Sequence, residues 1–277
     1  MFDVVMTRMH ELIIILYATS VLLYFLDFVD TNQRANRTAF WLLAIVWILQ
    51  TIFLFMYMFE TGRFPILTIN EGLYFYAWVL ITLSLGINRL LKVDFTVFFT
   101  NVLGFIIMAV HTFSTAQIES NVIAEQLMNE ILYIHIMMAI LSYGAFTISF
   151  VFSCLYLLQH RLLKQKKWGK RLRRLADLEK LDRMTVVLNG IGTPLLLLSL
   201  ILGIQRAVIA LPDFSWLDLK IIGSILMLLA YSIVFAMRVR KQLYGRVLAY
   251  WNIGCFLIVL INFFLFGRLS GFHLWIS

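Results

Sequence analysis

Eight apolar stretches, each about as long as a bilayer is thick, constrain this chain more than anything else in it. They fall at residues 11–29, 38–59, 72–88, 95–113, 131–158, 185–210, 221–237 and 247–267. A hydrocarbon core of about 30 Å takes roughly 20 apolar residues per helix, so each stretch is a candidate crossing. With 62% hydrophobic and 14% charged residues, the chain has too little polar surface to cover a soluble globule. None of the stretches alternates with a period of two, and in lipid every backbone N–H and C=O must find its partner inside the span. The expected fold is an all-α integral membrane protein: a polytopic bundle of eight transmembrane helices forming a single transmembrane domain over residues 1–277.

Lysine and arginine set the expected orientation. The segments after the first, third, fifth and seventh stretches carry Arg34 and Arg37, Arg89 and Lys92, ten basic residues from Arg161 to Arg183, and finally Arg238, Arg240, Lys241 and Arg246. These account for eighteen of the 23 basic residues. By the positive-inside rule those loops face the cytoplasm and both termini lie outside. The net charge of +8 is then a topology signal, and no nucleic-acid partner is needed to explain it.

The opening MFDVVMTRMHELIIILYATSVLLYF shows no small-residue cleavage site after a short apolar core and is expected to stay as the first helix. Cys154 and Cys255 lie within spans and form no CxxC or CxxCH, which points to buried apolar roles and against covalent haem attachment to this chain. The longest polar segment is the basic loop 159–183, QHRLLKQKKWGKRLRRLADLEKLDR. Trp168, Leu172, Leu175 and Leu178 recur there at near-helical spacing between basic residues, a pattern suited to anionic membrane lipids. Topology anchoring is its first reading, and docking of a cytosolic enzyme its second.

Four of the five histidines fall at the outer face in this orientation: His10, His111, His135 and His273, with His160 alone at the inner face. A single histidine at a membrane interface is usually just an amphipathic side chain. Four on one side point to metal or haem, because neutral imidazole is a common ligand for metals and for haem iron. The same face offers flat walls in Trp78, Trp216, Trp275, Phe214 and Phe272, and cations in Arg63, Arg206, Lys220 and Arg268. Carboxylates such as Glu71, Glu119 and Asp218 are present, but no HxxxH or HExxH spacing favours zinc. No nucleophile and base pair or Gly-rich phosphate loop is apparent, so the chain is expected not to be an enzyme and to have no catalytic residues. Asn101, Asn189, Asn252 and Asn262 within spans are expected to hydrogen-bond across helices. Pro194 is expected to kink its helix.

Several segments resemble the haem-handling membrane proteins of cytochrome c assembly. RFPILTINEGLYFYAW (63–78) is similar to their Pro-Asn-Glu segment before a helix, and LYIHIMMAILSYGAFTISFVFSCLYLL (132–158) to their helix opening with a histidine. LDRMTVVLNGIGTPLLLLSLILG (181–203) and SGFHLW (270–275) follow in the same order, so the resemblance runs from about residue 63 to the end. Where the family's synthases carry a tryptophan-rich external platform, this chain has LPDFSWLDLK (211–220), keeping Trp216, Asp218 and Lys220. The following AYSIVFAMRVR (230–240) lacks the membrane histidine of those synthases.

The resemblance implies a non-covalent haem b held by His135 and His273, and the outer-face residues add Trp216, Arg63 and Arg268 around it and His10 and His111 as a reserve pair. It further implies a regulator of haem biosynthesis that sets the level of glutamyl-tRNA reductase, a possible cytoplasmic partner, through haem sensing or transport in a bacterial cytoplasmic membrane. The alternatives are a haem-delivery subunit in cytochrome c assembly and a haem-free membrane scaffold.

Overall fold

The structure, a computed structural model, describes residues 2–91, 94–113, 130–166, 177–210 and 215–266. Among these residues the regular secondary structure is entirely helical. In chain order the helices are α1 (Phe2–Asp30), α2 (Gln33–Thr61), α3 (Ile69–Leu91), α4 (Asp94–Phe113), α5 (Glu130–Lys164), α6 (Leu178–Ala210), α7 (Leu219–Val239) and α8 (Gly245–Ile261). A π turn, Asn262–Phe266, continues α8. Through its described residues, each apolar stretch of the sequence lies on one of these helices, the last running from α8 into the π turn. Seven of the eight are long and apolar enough to cross a membrane, which makes this a multi-pass membrane protein.

The exception is α3, whose first turns carry Asn70, Glu71, Tyr74 and Tyr76 and whose end carries Asn88 and Arg89. Its 23 residues give about 34 Å of helix at 1.5 Å per residue, so length is not what it lacks. Polarity lowers its apolar character. Its middle, from Leu73 to Ile81, is nevertheless almost continuously buried by the other helices, so less of it has to meet lipid.

The helices group into two compact units, residues 1–115 with 162–176 and residues 116–161 with 177–277. In the first, α1 buries Ile13, Tyr17, Ser20, Tyr24 and Asp27, a stripe at helical spacing, and turns Ile15, Leu22 and Phe25 outward. α2 does the same with Ala39, Leu43, Val46, Gln50 and Leu54 inside and Trp41, Ile48 and Phe55 outside. In a membrane protein those outward residues meet acyl chains, so helix association has to come from packing and polar ties. The ties are present: Ser20 donates to the Ala39 carbonyl at 2.9 Å, and Trp47 Nε1 donates to Thr82 Oγ1 at 2.8 Å. Asn101 accepts from Tyr17 at 3.0 Å and donates to Ser84 Oγ at 2.9 Å, joining three helices. α2 is bounded by Asn32, whose side chain caps the N–H groups of Arg34 and Ala35, and by Gly62 in the left-handed region (φ 66°).

In the second unit a closed polar ring joins α5, α6 and α8. Ser149 donates to Asn189 Oδ1 at 2.7 Å, Asn189 to Asn252 Oδ1 at 2.8 Å, and Asn252 to Ser149 at 3.1 Å and Ser153 at 2.9 Å. Phe146 stacks on Tyr231 of α7 at 3.7 Å between ring centroids. Arg238 donates to Asp182 at 2.6 Å and to the Leu243 carbonyl at 3.1 Å, while Asp182 also accepts from the N–H of Gly245 at 2.9 Å. One carboxylate thus holds the start of α6, the end of α7 and the start of α8. α6 continues as helix through Pro194.

Candidate functional site

The histidine positions come from helix ends of two kinds. In the second unit, His135 stands in the second turn of α5, with its ring against Gly203 of α6, where an added Cβ would come within 2.5 Å of Cε1. Glycine is required there by the close approach of the imidazole. His135 Nδ1 lies 2.6 Å from the carbonyl oxygen of Ser199 and 3.1 Å from Ser199 Oγ, whose own hydroxyl donates to the His135 carbonyl at 3.0 Å. A carbonyl can only accept, so Nδ1 carries the proton and the neutral ring keeps its lone pair on Nε2. A ligating histidine is characteristically oriented this way, one nitrogen donating to a backbone carbonyl and the other left for the metal.

Lys220, in the first turn of α7, donates to the Asn262 carbonyl at 3.0 Å and lies 6.0 Å from the Phe263 ring centroid. An ammonium has three donors, and this backbone acceptor uses one. Trp216, just before α7, is 62% exposed. His273 and Arg268 lie outside the described residues, as do Phe214, Phe272, Trp275 and Glu119.

In the first unit, the structure brings His10 and His111 together. Their ring centroids are 4.9 Å apart at 65°, although 101 residues separate them in sequence. His10 sits inside α1, which begins at Phe2, rather than before the helix as the hydropathy of the sequence places it. Phe53 and Tyr74 flank the pair, with His10 6.0 Å from Phe53 and His111 5.4 Å from Tyr74.

Arg63 and Glu71 form the other polar centre of this unit. Arg63 makes a two-pronged contact to Glu71, at 2.7 and 2.9 Å, and Tyr57 donates to the same carboxylate at 2.6 Å. Glu71 also accepts from the N–H groups of Leu67 and Thr68, and Thr68 Oγ1 accepts from the Glu71 N–H. This is a capping box that starts α3. The Thr-x-x-Glu spacing is its signal in the sequence. Both prongs of Arg63 face Glu71, so any haem carboxylate there would have to share the guanidinium with it. His160 stacks on Tyr156 at 6.4 Å. Of the basic loop, residues 167–176 lie outside the described residues, including Trp168, Leu172 and Leu175.

Residues 66–273 match the description "Cytochrome C assembly protein". The chain belongs to the cytochrome c assembly protein family. That makes it one of a haem-related group of membrane proteins. Two curated relatives carry the name Protein HemX. The one from Bacillus subtilis (strain 168) is 56% identical over 277 residues, covering 100% of both chains. The one from Brevibacillus brevis is 41% identical over 266 residues, covering 96% of this chain and 97% of its own. Within this family member, the matched region includes α3 to α8 and both His111 and His135, while His10 precedes it.

Proposed function

We propose that this protein binds haem b non-covalently through His135, with His273 as the second ligand, and regulates haem biosynthesis by setting the level of glutamyl-tRNA reductase. The observation that carries the haem reading is the proton on His135 Nδ1, donated to the Ser199 carbonyl, which leaves Nε2 as a ligand atom. Lys220, with donors to spare, and Arg268 suit the two carboxylates that every haem b carries. Trp216 supplies an apolar wall. When bound, haem would supply an iron that takes imidazole as a ligand, with His135 and His273 the residues that would hold it. The protein's own part is to present that imidazole, pair the carboxylates and exclude water. Likeness to two HemX proteins over nearly the whole chain supports the regulatory role. In this reading the protein is not an enzyme, and its basic inner loop is first a topology anchor and second a docking surface for a cytosolic enzyme.

The setting is a bacterial cytoplasmic membrane with eight crossings, α3 included, and both termini outside. Cysteines placed at Lys167 and Ser270 are expected to label only from the cytoplasm and only from outside, respectively. Labelling of both from one side would remove the proposed topology.

The test of haem binding is the absorption spectrum of the purified protein with and without dithionite. A low-spin, six-coordinate spectrum is expected, to be lost or converted to a five-coordinate one by His135→Ala or His273→Ala and unaffected by His160→Ala. A wild-type protein with no Soret band after haem is supplied would refute it. The family match over residues 66–273 favours one second reading, haem delivery to cytochrome c assembly. In that case loss of the gene would abolish holocytochrome c, with glutamyl-tRNA reductase unchanged.

A further inference from the structure

We propose that His10 and His111 form a separate, haem-independent site for a single soft metal ion, Cu(I), between α1 and α4. The hydrogen bonds around the two rings place the lone pairs. His111 Nδ1 lies 2.9 Å from the Asn70 carbonyl, which can only accept, so the ring's lone pair is on Nε2. His10 Nε2 lies 2.9 Å from Thr112 Oγ1, and the Thr112 hydroxyl already donates its one proton to the Met108 carbonyl at 2.9 Å. Thr112 therefore accepts, His10 Nε2 donates, and the lone pair of His10 is on Nδ1. Both imidazoles are thus held from one side by an acceptor, as ligating histidines are. Among the described residues, neither remaining nitrogen has a hydrogen-bond partner.

Ring separation decides between haem and a bare ion. With metal–nitrogen bonds of about 2 Å, imidazoles on opposite faces of one iron hold their centroids roughly 6 Å apart, and neighbouring ligands of a tetrahedral ion roughly 5 Å. The observed 4.9 Å at 65° suits the second arrangement and leaves no room for a porphyrin between the rings.

The surroundings choose the ion. Met108 stands three residues before His111, on the same face of α4, and is fully buried. Its sulfur lies 3.8 Å from Gln50 Nε2, and Gln50, also fully buried, has an Oε1 without a partner. An unsatisfied buried amide oxygen beside a thioether is costly in an apolar interior and is what an added cation would relieve. The nearest carboxylate in sequence, Glu11, is paired with Arg8 at 2.8 Å, and no cluster of three His, Cys, Asp or Glu side chains exists among the described residues. Glu71, next to Asn70, is likewise paired with Arg63 at 2.7 Å, so neither carboxylate near the pair is left to offset a second charge between Phe53 and Tyr74, and a monovalent ion that favours imidazole and thioether donors is less costly to bury.

The experiment uses the full-length protein in detergent, stripped of metal with a chelator and kept reduced. Cu(I) is titrated against the chromophoric competitor bicinchoninate. The wild type is expected to take one Cu(I) per chain. His10→Ala and His111→Ala each weaken it about tenfold or more, and Met108→Leu, which preserves volume, by a smaller factor. His135→Ala leaves Cu(I) binding unchanged, which separates this site from the proposed haem site whatever becomes of the latter. Elution volume and melting temperature check that each variant is folded. If a substitution at either histidine unfolds the protein, Met108→Leu and X-ray absorption of the wild-type Cu(I) complex, expected to show nitrogen and sulfur neighbours, carry the test. Failure of the wild type to compete for Cu(I), equal uptake by a His10→Ala, His111→Ala double variant, preference for Zn(II) when that ion is titrated alone, or loss of the Soret band in either single variant would each overturn the proposal.

Discussion

The two units solve the same electrostatic problem with different materials. Each ties helix ends together through one carboxylate and one arginine: Glu71 with Arg63 in the first, Asp182 with Arg238 in the second. Glu71 takes five donors from one stretch of chain and from Tyr57, so its lock is mainly local and shapes the start of α3. Asp182 takes one prong of Arg238 and the N–H of Gly245, 63 residues away, so its lock joins three helices. The histidines differ in a parallel way. In the first unit an imidazole has another imidazole as neighbour and apolar rings around it. His135 of the second is held by Ser199 of α6. A pair of imidazoles among apolar rings suits a bare cation, and an imidazole accompanied by a lysine in its own unit suits a ligand that brings carboxylates.

The comparison can be broken first at the locks. Glu71→Ala leaves an arginine and two backbone N–H groups without their acceptor, in a pair whose side chains are only 13% and 9% exposed. It is expected to cost about 3 kcal/mol or more, read from unfolding in mixed detergent micelles. Asp182→Ala removes fewer bonds from a pair exposed to 19% and 12% and is expected to cost about 2 kcal/mol by the same measurement. An equal or reversed order would mean that joining three helices outweighs the number of donors satisfied.

Gly203→Ala sharpens the comparison of the histidines. The added methyl would displace the His135 ring from its place against α6, and haem affinity is expected to fall about tenfold, read by Soret titration. Gly254→Ala in α8, where nothing lies within 4 Å of the new methyl, is the matched control and is expected to leave haem binding unchanged. Equal haem affinity in both variants would separate His135 from the haem site. The smallest effects are expected at the buried asparagines. Asn101→Ala in the first unit and Asn252→Ala in the second should each cost about 1 kcal/mol in the micelle unfolding experiment. A much larger loss at Asn252 would show that the closed ring with Asn189, Ser149 and Ser153 is cooperative beyond its pairwise bonds.

Hydropathy alone determined where the helices are, because lipid allows no other way to satisfy a backbone and each apolar run needs only its own residues to form one. The same local reasoning reached the asparagines as ties between helices, while the Asn32 cap of α2 and the capping box of Thr68 and Glu71 came from the structure. It placed α3 among the spans by its apolar middle, whereas burial among neighbours is what accommodates its polar ends. The sequence could gather His10, His111 and His135 as candidates from their positions near span ends. It could not say that His10 and His111 touch, since their 101-residue separation is closed only by the packing of α1 on α4. Nor could it show that Arg63 is committed to Glu71, or that Ser199, Asn70 and Thr112 decide which nitrogen of each ring holds a lone pair. Tautomer and pairing depend on acceptors that other helices bring up, and those exist only once the helices have packed.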